Sequence, residues 1–318
     1  MTTSKQNKGL ILVTGCSTGI GRATALRLAH EGYRVFAGVR RQADGRGLEE
    51  EVLSTDASGT LAPILLDVTR DADVEAAVAR VREVSAGEGL VALVNNAGRN
   101  LVAPFEHTDP ADAAHLMAVN LMGPLALARA LLPDLARAAS RRRTAKIVNV
   151  GSVGSHFGLP WEAWYHASKF ALLGIGEGLR AELYAQNVRV TTICPGGIRT
   201  PFIGATGAQA QAAIAALPPE RRETYAAGLA AFARTAGAVD RLGSPPERVA
   251  TAILRVVERR DPPARVLVGP DAHLLHGLKR WLPEAVHGAL VRALLAPRAR
   301  PADVAGGVPN DARPLTPP

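Results

Sequence analysis

Tyr165 and Lys169 are the two residues whose types and spacing most clearly predict chemistry in this chain. They lie four residues apart in a helix-forming run, and positions i and i+4 of a helix share one face. A free tyrosine loses its proton near pH ~10, and a nearby cation lowers the pKa of the phenol by stabilising the phenolate. We therefore expect Tyr165 to give and take a proton and Lys169 to lower its pKa, although this spacing alone also occurs on exposed helix faces.

A hydroxyl group precedes this pair in a position suited to catalysis. Ser152 directly follows the β-branched run 146–151, which is typical of a buried strand that ends at a glycine. The carboxyl end of a parallel strand faces the crevice in which open α/β sheets bind ligands. We expect Ser152 to donate a hydrogen bond to a substrate oxygen as charge develops on it.

A glycine-rich turn near the amino terminus predicts a dinucleotide site. It follows the apolar strand 10–13 and precedes the helical stretch 22–31. Gly15 permits the tight turn, Gly19 lets the backbone approach a pyrophosphate, and Gly21 allows close helix packing, with the helix N-terminus facing the phosphates. The alternative is a plain glycine-rich loop.

Four separated motifs together resemble the compact branch of the short-chain dehydrogenase/reductase family. In order, they are Thr14-Gly-x-x-x-Gly-x-Gly21, Asn95-Asn96-Ala97-Gly98, Ser152 and Tyr165-x-x-x-Lys169. The resemblance extends from about Leu10 to Val268. The turn from Gly15 to Gly19 and the run from Arg180 to Leu183 look most like the steroid- and retinol-dehydrogenase subset. This resemblance implies hydride transfer at a nicotinamide whose ribose is held by Lys169.

Asn120 is a further candidate catalytic residue. It lies in an apolar helix, and Pro124 removes the backbone donor that the Asn120 carbonyl would otherwise meet. A freed carbonyl could hold a water leading to Lys169, which is the proton-relay role that the resemblance implies. The alternative is a buried asparagine bonded to neighbouring backbone.

The resemblance also implies a set of cofactor contacts. Asp67 would bind the adenine amino group, although it could instead cap the next helix. Residues 95–98 would lie beside the adenine ribose unless they form a simple turn, and Thr200 would bind the nicotinamide carboxamide. The expected cofactor-binding residues are Gly15, Ser17, Thr18, Gly19, Ile20, Gly21, Arg40, Arg41, Asp67, Val68, Asn95, Ala97, Gly98, Tyr165, Lys169, Pro195, Gly196, Ile198 and Thr200.

The end of the second strand predicts which dinucleotide is used. In similar enzymes an acidic residue there binds the ribose 2′-hydroxyl of NAD, whereas the strand 35–39 has no carboxylate and is followed by Arg40 and Arg41. A guanidinium can bind a 2′-phosphate through charge-assisted hydrogen bonds. We expect NADP(H) to be preferred over NAD(H), the alternative being two solvated arginines.

Composition excludes several other classes of protein. The 318 residues are 47% hydrophobic, enough for a large core, and no apolar segment follows the first residues. The most apolar stretch, 116–136, contains Asn120, Arg129, Pro133 and Asp134, so we expect no transmembrane segment. The basic residues behind the net charge of +8 are scattered along the chain, apart from the triplet 141–143, for which a solvated loop is expected. Nucleic acid is therefore not an expected partner.

The cysteines and histidines predict no metal site. Cys16 and Cys194 lack metal-ligand spacing, and small buried thiols in a reducing cytoplasm are expected for both. The histidines, including His156 and His166, show no ligand spacing and are expected to be structural or surface residues. We expect a cytoplasmic homo-oligomer, either a dimer or a tetramer.

Alternating strand and helix runs predict a Rossmann-type, doubly wound parallel sheet of about seven strands flanked by helices. Residues 1–270 would form one catalytic domain in which the Ala-, Gly- and Gln-rich segment 201–242 is a mobile lid. A C-terminal helical extension would cover 271–296, with a disordered tail at 297–318. The expected strands are 10–14, 34–39, 61–66, 90–95, 146–151, 188–194 and 265–268, and the expected helices are 19–31, 47–54, 71–86, 110–138, 163–186 and 246–259.

The function that we expect is NADP(H)-dependent interconversion of a carbonyl and an alcohol, with a hydrophobic ketone, aldehyde or secondary alcohol as substrate. A 3-oxoacyl-thioester reductase is the alternative enzyme, against which the long 201–242 segment and the 271–296 helices argue mildly. A dinucleotide-binding sensor is the non-enzyme alternative, and it would be expected to lack Tyr165 or Lys169. The basic C-terminal helices predict at most weak contact with a membrane surface.

Overall fold

The computed structural model describes residues 8–142, 144–286 and 288–289. Its centre is a seven-stranded sheet in the order β3-β2-β1-β4-β5-β6-β7, and all of its strand pairs are parallel. The predicted doubly wound sheet is confirmed. The strands are β1 (Leu10–Val13), β2 (Arg34–Val39), β3 (Thr60–Leu65), β4 (Ala92–Asn95), β5 (Ala145–Val150), β6 (Val188–Pro195) and β7 (Arg265–Val268).

Helices cover both faces of this sheet. Helix α1 packs beside α9 on one face, whereas α3 packs beside α5 and α4 beside α6 on the other. The helices are α1 (Gly19–His30), α2 (Gln42–Leu53), α3 (Asp71–Ser85), α4 (Pro110–Met117), α5 (Gly123–Arg142), α6 (Ala163–Glu182), α7 (Pro201–Ala216), α8 (Pro219–Leu242), α9 (Pro246–Glu258) and α10 (Pro270–Trp281).

The strand sequences explain the sheet. Every residue of β1, β4, β5 and β6 is buried, as expected for strands covered on both faces. Pro63 lies in the edge strand β3, where a missing backbone donor is tolerated. The strand order reverses between β1 and β4, so the carboxyl ends of these two strands open a crevice of the kind that binds ligands.

The long helix predicted at 110–138 is interrupted by one π-helical turn, Ala118–Met122. Pro124 cannot donate to the carbonyl of Asn120, so the regular ladder fails here and Gly123 donates to Ala118 five residues back. By length and composition alone, the helical run 110–142 could span a membrane. In the fold, Leu127 and Leu131 from this run pack in the central core.

Several predicted boundaries are wrong. Helix α2 begins at Gln42 rather than 47, and α6 ends at Glu182 rather than 186. The segment 201–242, expected to be weakly helical, forms α7 and α8, which pack on each other. Arg141 and Arg142 belong to the last turn of α5 instead of a loop; Arg141 pairs with Glu88, and Arg142 donates to the Lys8 carbonyl.

The start of the C-terminal extension packs against the catalytic domain. Ala272 in α10 is fully buried in a cluster with Val153 and Phe157. The remainder of α10 exposes Leu274 and Trp281. Most of the predicted extension beyond residue 286 lies outside the described residues, and the tail 297–318 lies entirely outside them.

Candidate active site

The glycine turn after β1 has the close packing that the sequence predicts. Gly15 and Gly19 have φ values of +67° and +58°, in the left-handed region that favours glycine. A Cβ atom on Gly21 would lie 2.2 Å from the Gly15 carbonyl oxygen. Helix α1 begins at Gly19, and the Thr18 side chain makes no capping hydrogen bond. The first N–H groups of α1 can therefore receive an anion.

A set of hydrogen bonds ties this turn to the loop after β4. The Thr14 hydroxyl oxygen accepts from the amides of Asn96 and Ala97 at 3.0 and 2.9 Å. The Asn96 side chain donates to the carbonyls of Thr14 and Gly15 at 2.9 and 3.0 Å. These bonds fix the turn across the reversal of strand order. Sequence reasoning missed the roles of Thr14 and Asn96, which only contact across the sheet reveals.

The residues 95–98 divide into structural and site-facing groups. The Asn95 side chain is buried and donates to Asn149 Oδ1 at 3.0 Å, which leaves the Asn95 backbone for the predicted cofactor contact. At Gly98, an added Cβ would lie 3.5 Å from Asn120 Oδ1 and 3.8 Å from Lys169 Nζ. Gly98 therefore leaves space directly beside these two polar groups.

The loop after β6 completes the rim. It carries the predicted residues Pro195, Gly196, Ile198 and Thr200, the last of which precedes α7. A Cβ on Gly19 would lie 3.0 Å from the Thr200 side chain, so this loop borders the glycine turn. The Gly19 backbone and the Thr200 side chain thus lie opposite each other in the cradle.

At the other end of the cradle, Asp67 forms a turn after β3. Its Oδ1 accepts from the Thr69 amide at 2.9 Å and the Thr69 hydroxyl at 2.7 Å. Burial raises the pKa of Asp67, but these bonds and the Arg40 guanidinium outweigh burial and hold the pKa below its usual value. Asp67 is not the residue that caps α3, because that position belongs to Arg70. Val68 is buried, with its carbonyl against Gly123.

The two arginines after β2 are in different situations. Arg41 is exposed and forms a two-point contact with Asp44, at 3.1 and 2.9 Å. Arg40 is also exposed, and it makes no hydrogen bond or ion pair within the described part of the chain. Arg40 is therefore the arginine whose guanidinium is available to a ligand.

The three central catalytic candidates meet at the carboxyl end of β5. The Ser152 hydroxyl accepts from the Gly154 amide at 3.0 Å and lies close enough to the Tyr165 phenol to oppose the rise of its pKa. Lys169 is buried, its Nζ lies 5.8 Å from the centre of the Tyr165 ring, and it donates to the Val150 carbonyl at 2.9 Å. Helix α6 thus directs Tyr165 and Lys169 to one site, as their spacing predicts.

The protonation chemistry differs from the expectation. Burial raises the pKa of Tyr165 above its usual value, the Ser152 hydrogen bond opposes this, and Glu162 adds to it. Burial also lowers the pKa of Lys169 to about 8. The pKa of Tyr165 is therefore raised and not lowered as expected, because loss of water contact outweighs the Ser152 hydrogen bond.

Asn120 lies in the π-helical turn and is almost fully buried. Its Oδ1 accepts from the Arg99 amide at 2.8 Å, and its Nδ2 donates to the Arg99 carbonyl at 2.9 Å and to Ser168 Oγ at 3.1 Å. Its side chain thus joins the loop after β4 to α6, beside Lys169. Its carbonyl faces the position where Pro124 has no N–H, as the sequence predicts.

Aromatic side chains border the catalytic residues. The Phe202 ring of α7 lies 5.9 Å from the Tyr165 ring, centre to centre. Phe105 stacks on Trp164, and two apolar crevices of about 420 and 360 Å³ flank this pair. Neither crevice is lined by Ser152, Tyr165 or Lys169; they adjoin the site through residues 163 and 164 of α6.

This fold and site define the class of the protein. The chain belongs to the short chain dehydrogenase family, whose sequence model matches residues 9–211. It is therefore an NAD(P)-dependent dehydrogenase or reductase. The cofactor fits the residues present, because the uncapped start of α1 and the glycine cradle leave room for a pyrophosphate beside backbone N–H groups.

Three similar proteins place the chain within this family. It is 29% identical to 3-ketodihydrosphingosine reductase of Bacteroides thetaiotaomicron over 91% of this chain and 98% of that protein. It is 31% identical to mouse retinol dehydrogenase 5 over 90% of this chain and 88% of that protein. A short chain dehydrogenase from Burkholderia cenocepacia, solved in complex with NADP, has 26% identity and a TM-score of 0.64, and the match covers 91% of this chain and 99% of that one.

The glycine cradle can be tested at Gly21. Gly21→Ala should weaken dinucleotide binding more than tenfold, or about 1.4 kcal/mol, because the new Cβ would press on Gly15 and Asn96. Titration of the cofactor by intrinsic fluorescence measures this change. The matched control is Gly47→Ala in α2, where nothing lies within 4 Å; it should leave binding unchanged. Wild-type affinity in Gly21→Ala would contradict the assignment of the turn.

The predicted lid can be tested by amide exchange. When NADPH and a substrate analogue are added, exchange should slow more in α7 and α8 than in the sheet, because these helices would order over the bound ligands. Helix α3 provides the internal reference. Equal protection before and after addition would mean that α7 and α8 form a fixed wall.

Proposed function

We propose that the protein interconverts a carbonyl and an alcohol with NADP(H), and that Tyr165 is the general acid and base. The observation that carries this proposal is the convergence of Ser152, Tyr165 and Lys169 at the carboxyl end of β5, where Lys169 Nζ lies 5.8 Å from the centre of the Tyr165 ring and is held by the Val150 carbonyl. A proton donor, a second hydrogen-bond donor and a cation thus converge where the strand order opens the sheet.

The side chains of this protein supply the proton that the carbonyl oxygen receives and stabilise the negative charge that develops on that oxygen. The nicotinamide, when bound, supplies or accepts the hydride. In the reducing direction Tyr165 donates its proton to the carbonyl oxygen as negative charge develops there, and Ser152 donates a hydrogen bond to the same oxygen. The raised pKa of Tyr165 keeps the phenol protonated, and below pH 8 the ammonium of Lys169 favours the phenolate left behind.

Asn120 holds the catalytic helix α6 in place. Its side chain connects the loop after β4 to Ser168, next to Lys169. Its carbonyl, left without the Pro124 donor, is the group we propose to hold the water that returns a proton to Lys169. Asp67 and Thr200 take the adenine and carboxamide contacts in this proposal.

We propose a hydrophobic ketone, aldehyde or secondary alcohol as substrate. Phe202 lies against Tyr165, and Phe105, Trp161 and Trp164 line the adjoining crevices, so the approach to the site is largely apolar. The similarity to a 3-ketodihydrosphingosine reductase and to a retinol dehydrogenase supports the same class of substrate. The presence of α7, α8 and the C-terminal α10 argues mildly against the alternative, a 3-oxoacyl-thioester reductase.

The assignment of Tyr165 predicts a separation of rate from binding. Tyr165→Phe should lose nearly all turnover, at least a hundredfold, while cofactor affinity stays close to wild type, because only the hydroxyl is removed. Lys169→Ala should reduce both. Turnover with NADPH and a panel of apolar ketones, read by nicotinamide absorbance, measures the first effect. Tyr184→Phe, at an exposed tyrosine, is the matched control; activity of Tyr165→Phe within tenfold of wild type would rule out the role.

The proposed preference for NADP(H) depends on Arg40. Arg40→Ala should weaken use of NADPH by about 1.5–3 kcal/mol, the range for a hydrogen bond to a charged group, and should change use of NADH little. The matched control is Arg46→Ala, which removes an exposed arginine from α2. Steady-state kinetics with both cofactors measures the effect. A wild type that prefers NADH, or a variant equally impaired with both, would contradict this role of Arg40.

A further inference from the structure

A buried carboxyl group lies at the amino-terminal end of the catalytic helix α6. Glu162 is the residue before α6 and is only 8% exposed. Its Oε1 accepts a hydrogen bond from Asn100, whose side chain also donates to the Thr206 hydroxyl at 3.0 Å. This network joins α6, the loop after β4 and α7. Sequence reasoning assigned no role to Glu162, Asn100 or Thr206.

His166 faces this carboxyl from one turn along α6. It is 5% exposed, and its Nδ1 lies 2.9 Å from the Gly154 carbonyl, which can only accept, so Nδ1 carries a hydrogen. Its Nε2 makes no hydrogen bond within the described part of the chain and lies 3.8 Å from Glu162 Oε2. The His166 ring packs edge-on against the Tyr165 ring, with 5.6 Å between centres.

The surroundings of Glu162 offer it no basic partner other than this imidazole. The loop after β4 presents the Asn100 amide, α7 presents the Thr206 hydroxyl, and α6 presents His166 and Tyr165. No lysine or arginine of the described residues forms an ion pair with it. A buried carboxylate without a cation is costly, whereas a carboxylic acid can donate its O–H toward the unpartnered Nε2.

The pKa directions agree with this geometry. Burial raises the pKa of Glu162 to about 7, and the Asn100 hydrogen bond opposes the rise only in part. Burial lowers the pKa of His166, although the carbonyls of Gly154 and Phe157 favour its protonated form. Both shifts place the single proton on the carboxyl group and leave the imidazole neutral.

We infer that Glu162 and His166 form a pair with one titrating proton, carried by Glu162 and facing the imidazole across 3.8 Å, and that the charge of this pair controls the protonation of the Tyr165 phenol. The inference rests on the proposed role of Tyr165 as general acid and base. Glu162 acts on Tyr165 through the electrostatic field of its carboxyl group and through His166. It is therefore a positioning residue and not a catalytic one.

The sign of the effect follows from the charge of the pair. Below about pH 7 the pair is neutral; above it, Glu162 is an anion, and this negative charge raises the pKa of Tyr165. Tyr165 therefore stays a proton donor further into the alkaline range. Carbonyl reduction persists to higher pH, and alcohol oxidation, which needs the phenolate, begins at higher pH.

Glu162→Gln tests this inference, because glutamine keeps the acceptor for Asn100 and places an N–H toward His166 while it can carry no charge. The alkaline limb of kcat/KM for carbonyl reduction should move down by roughly one pH unit in this variant. The matched control is Thr206→Val, which removes a hydrogen bond from the same network and should leave the limb where it is. Superimposable profiles for wild type and Glu162→Gln would overturn the inference.

A measurement on the protein without turnover separates this inference from the proposed function. The ring nitrogen resonances of His166 should show an inflection near pH 7 in the wild type, where Glu162 titrates, and none in Glu162→Gln. A wild-type protein without this inflection would refute the titrating pair even if Tyr165→Phe is inactive. An active Tyr165→Phe together with the inflection would instead refute the proposed function and leave the proton pair in place.

Discussion

The hydrogen bonds between Thr14 and Asn96 are the constraint on which the rest of the site depends. They join the turn after β1 to the loop after β4 at the point where the strand order reverses. From there the loop continues to Arg99, whose amide and carbonyl hold Asn120, and Asn120 in turn holds Ser168 on α6. The phosphate cradle and the catalytic helix are thus parts of one connected structure, and a shift of either would displace the other.

Burial governs the chemistry of this structure more than the attraction between its charges does. Tyr165 and Lys169 share a helix face, yet both pKa values move toward the neutral form of the side chain. Because the pKa of Lys169 is lowered to about 8, its cation is present below that pH and is lost above it, whereas the raised pKa of Tyr165 keeps the phenol protonated into the alkaline range. The site therefore has its full complement of donors near neutral pH and below.

The sequence predicts the parts of this protein that depend on local patterns. The strands, the glycine turn and the spacing of Tyr165 and Lys169 follow from short-range periodicity, and the disturbance at Asn120 follows from Pro124. The network around Glu162 could not be predicted, because Asn100 and Thr206 are 62 and 106 residues apart from their partners along the chain. Helices α7 and α8 are not evident from sequence because their alanine-rich sequences have weak periodicity and gain a buried face by packing on each other and on Val102 and Trp161.

Helices α7 and α8 form a lobe, residues 201–242, whose two ends are joined by backbone hydrogen bonds. The Arg199 amide donates to the Ser244 carbonyl at 3.0 Å, and the Ser244 amide donates to the Gly197 carbonyl at 2.9 Å, so the lobe leaves and rejoins the domain at one point. Asp271 of α10 accepts from the Gly197 amide at 2.5 Å and holds that point in place.

Beyond this anchor, the lobe is attached to the loop after β4, through Asn100 and Thr206, and to the loop that precedes α6. Trp161 packs with Phe232 and Leu229 of α8 and has a φ of +72°, a conformation that costs a bulky residue roughly 1–3 kcal/mol. The packing of Trp161 must outweigh this strain, and it places the strained residue four positions before Tyr165. Any displacement of the lobe would therefore act on the start of the catalytic helix and, through the hydrogen bonds of Asn120, on the cofactor cradle as well.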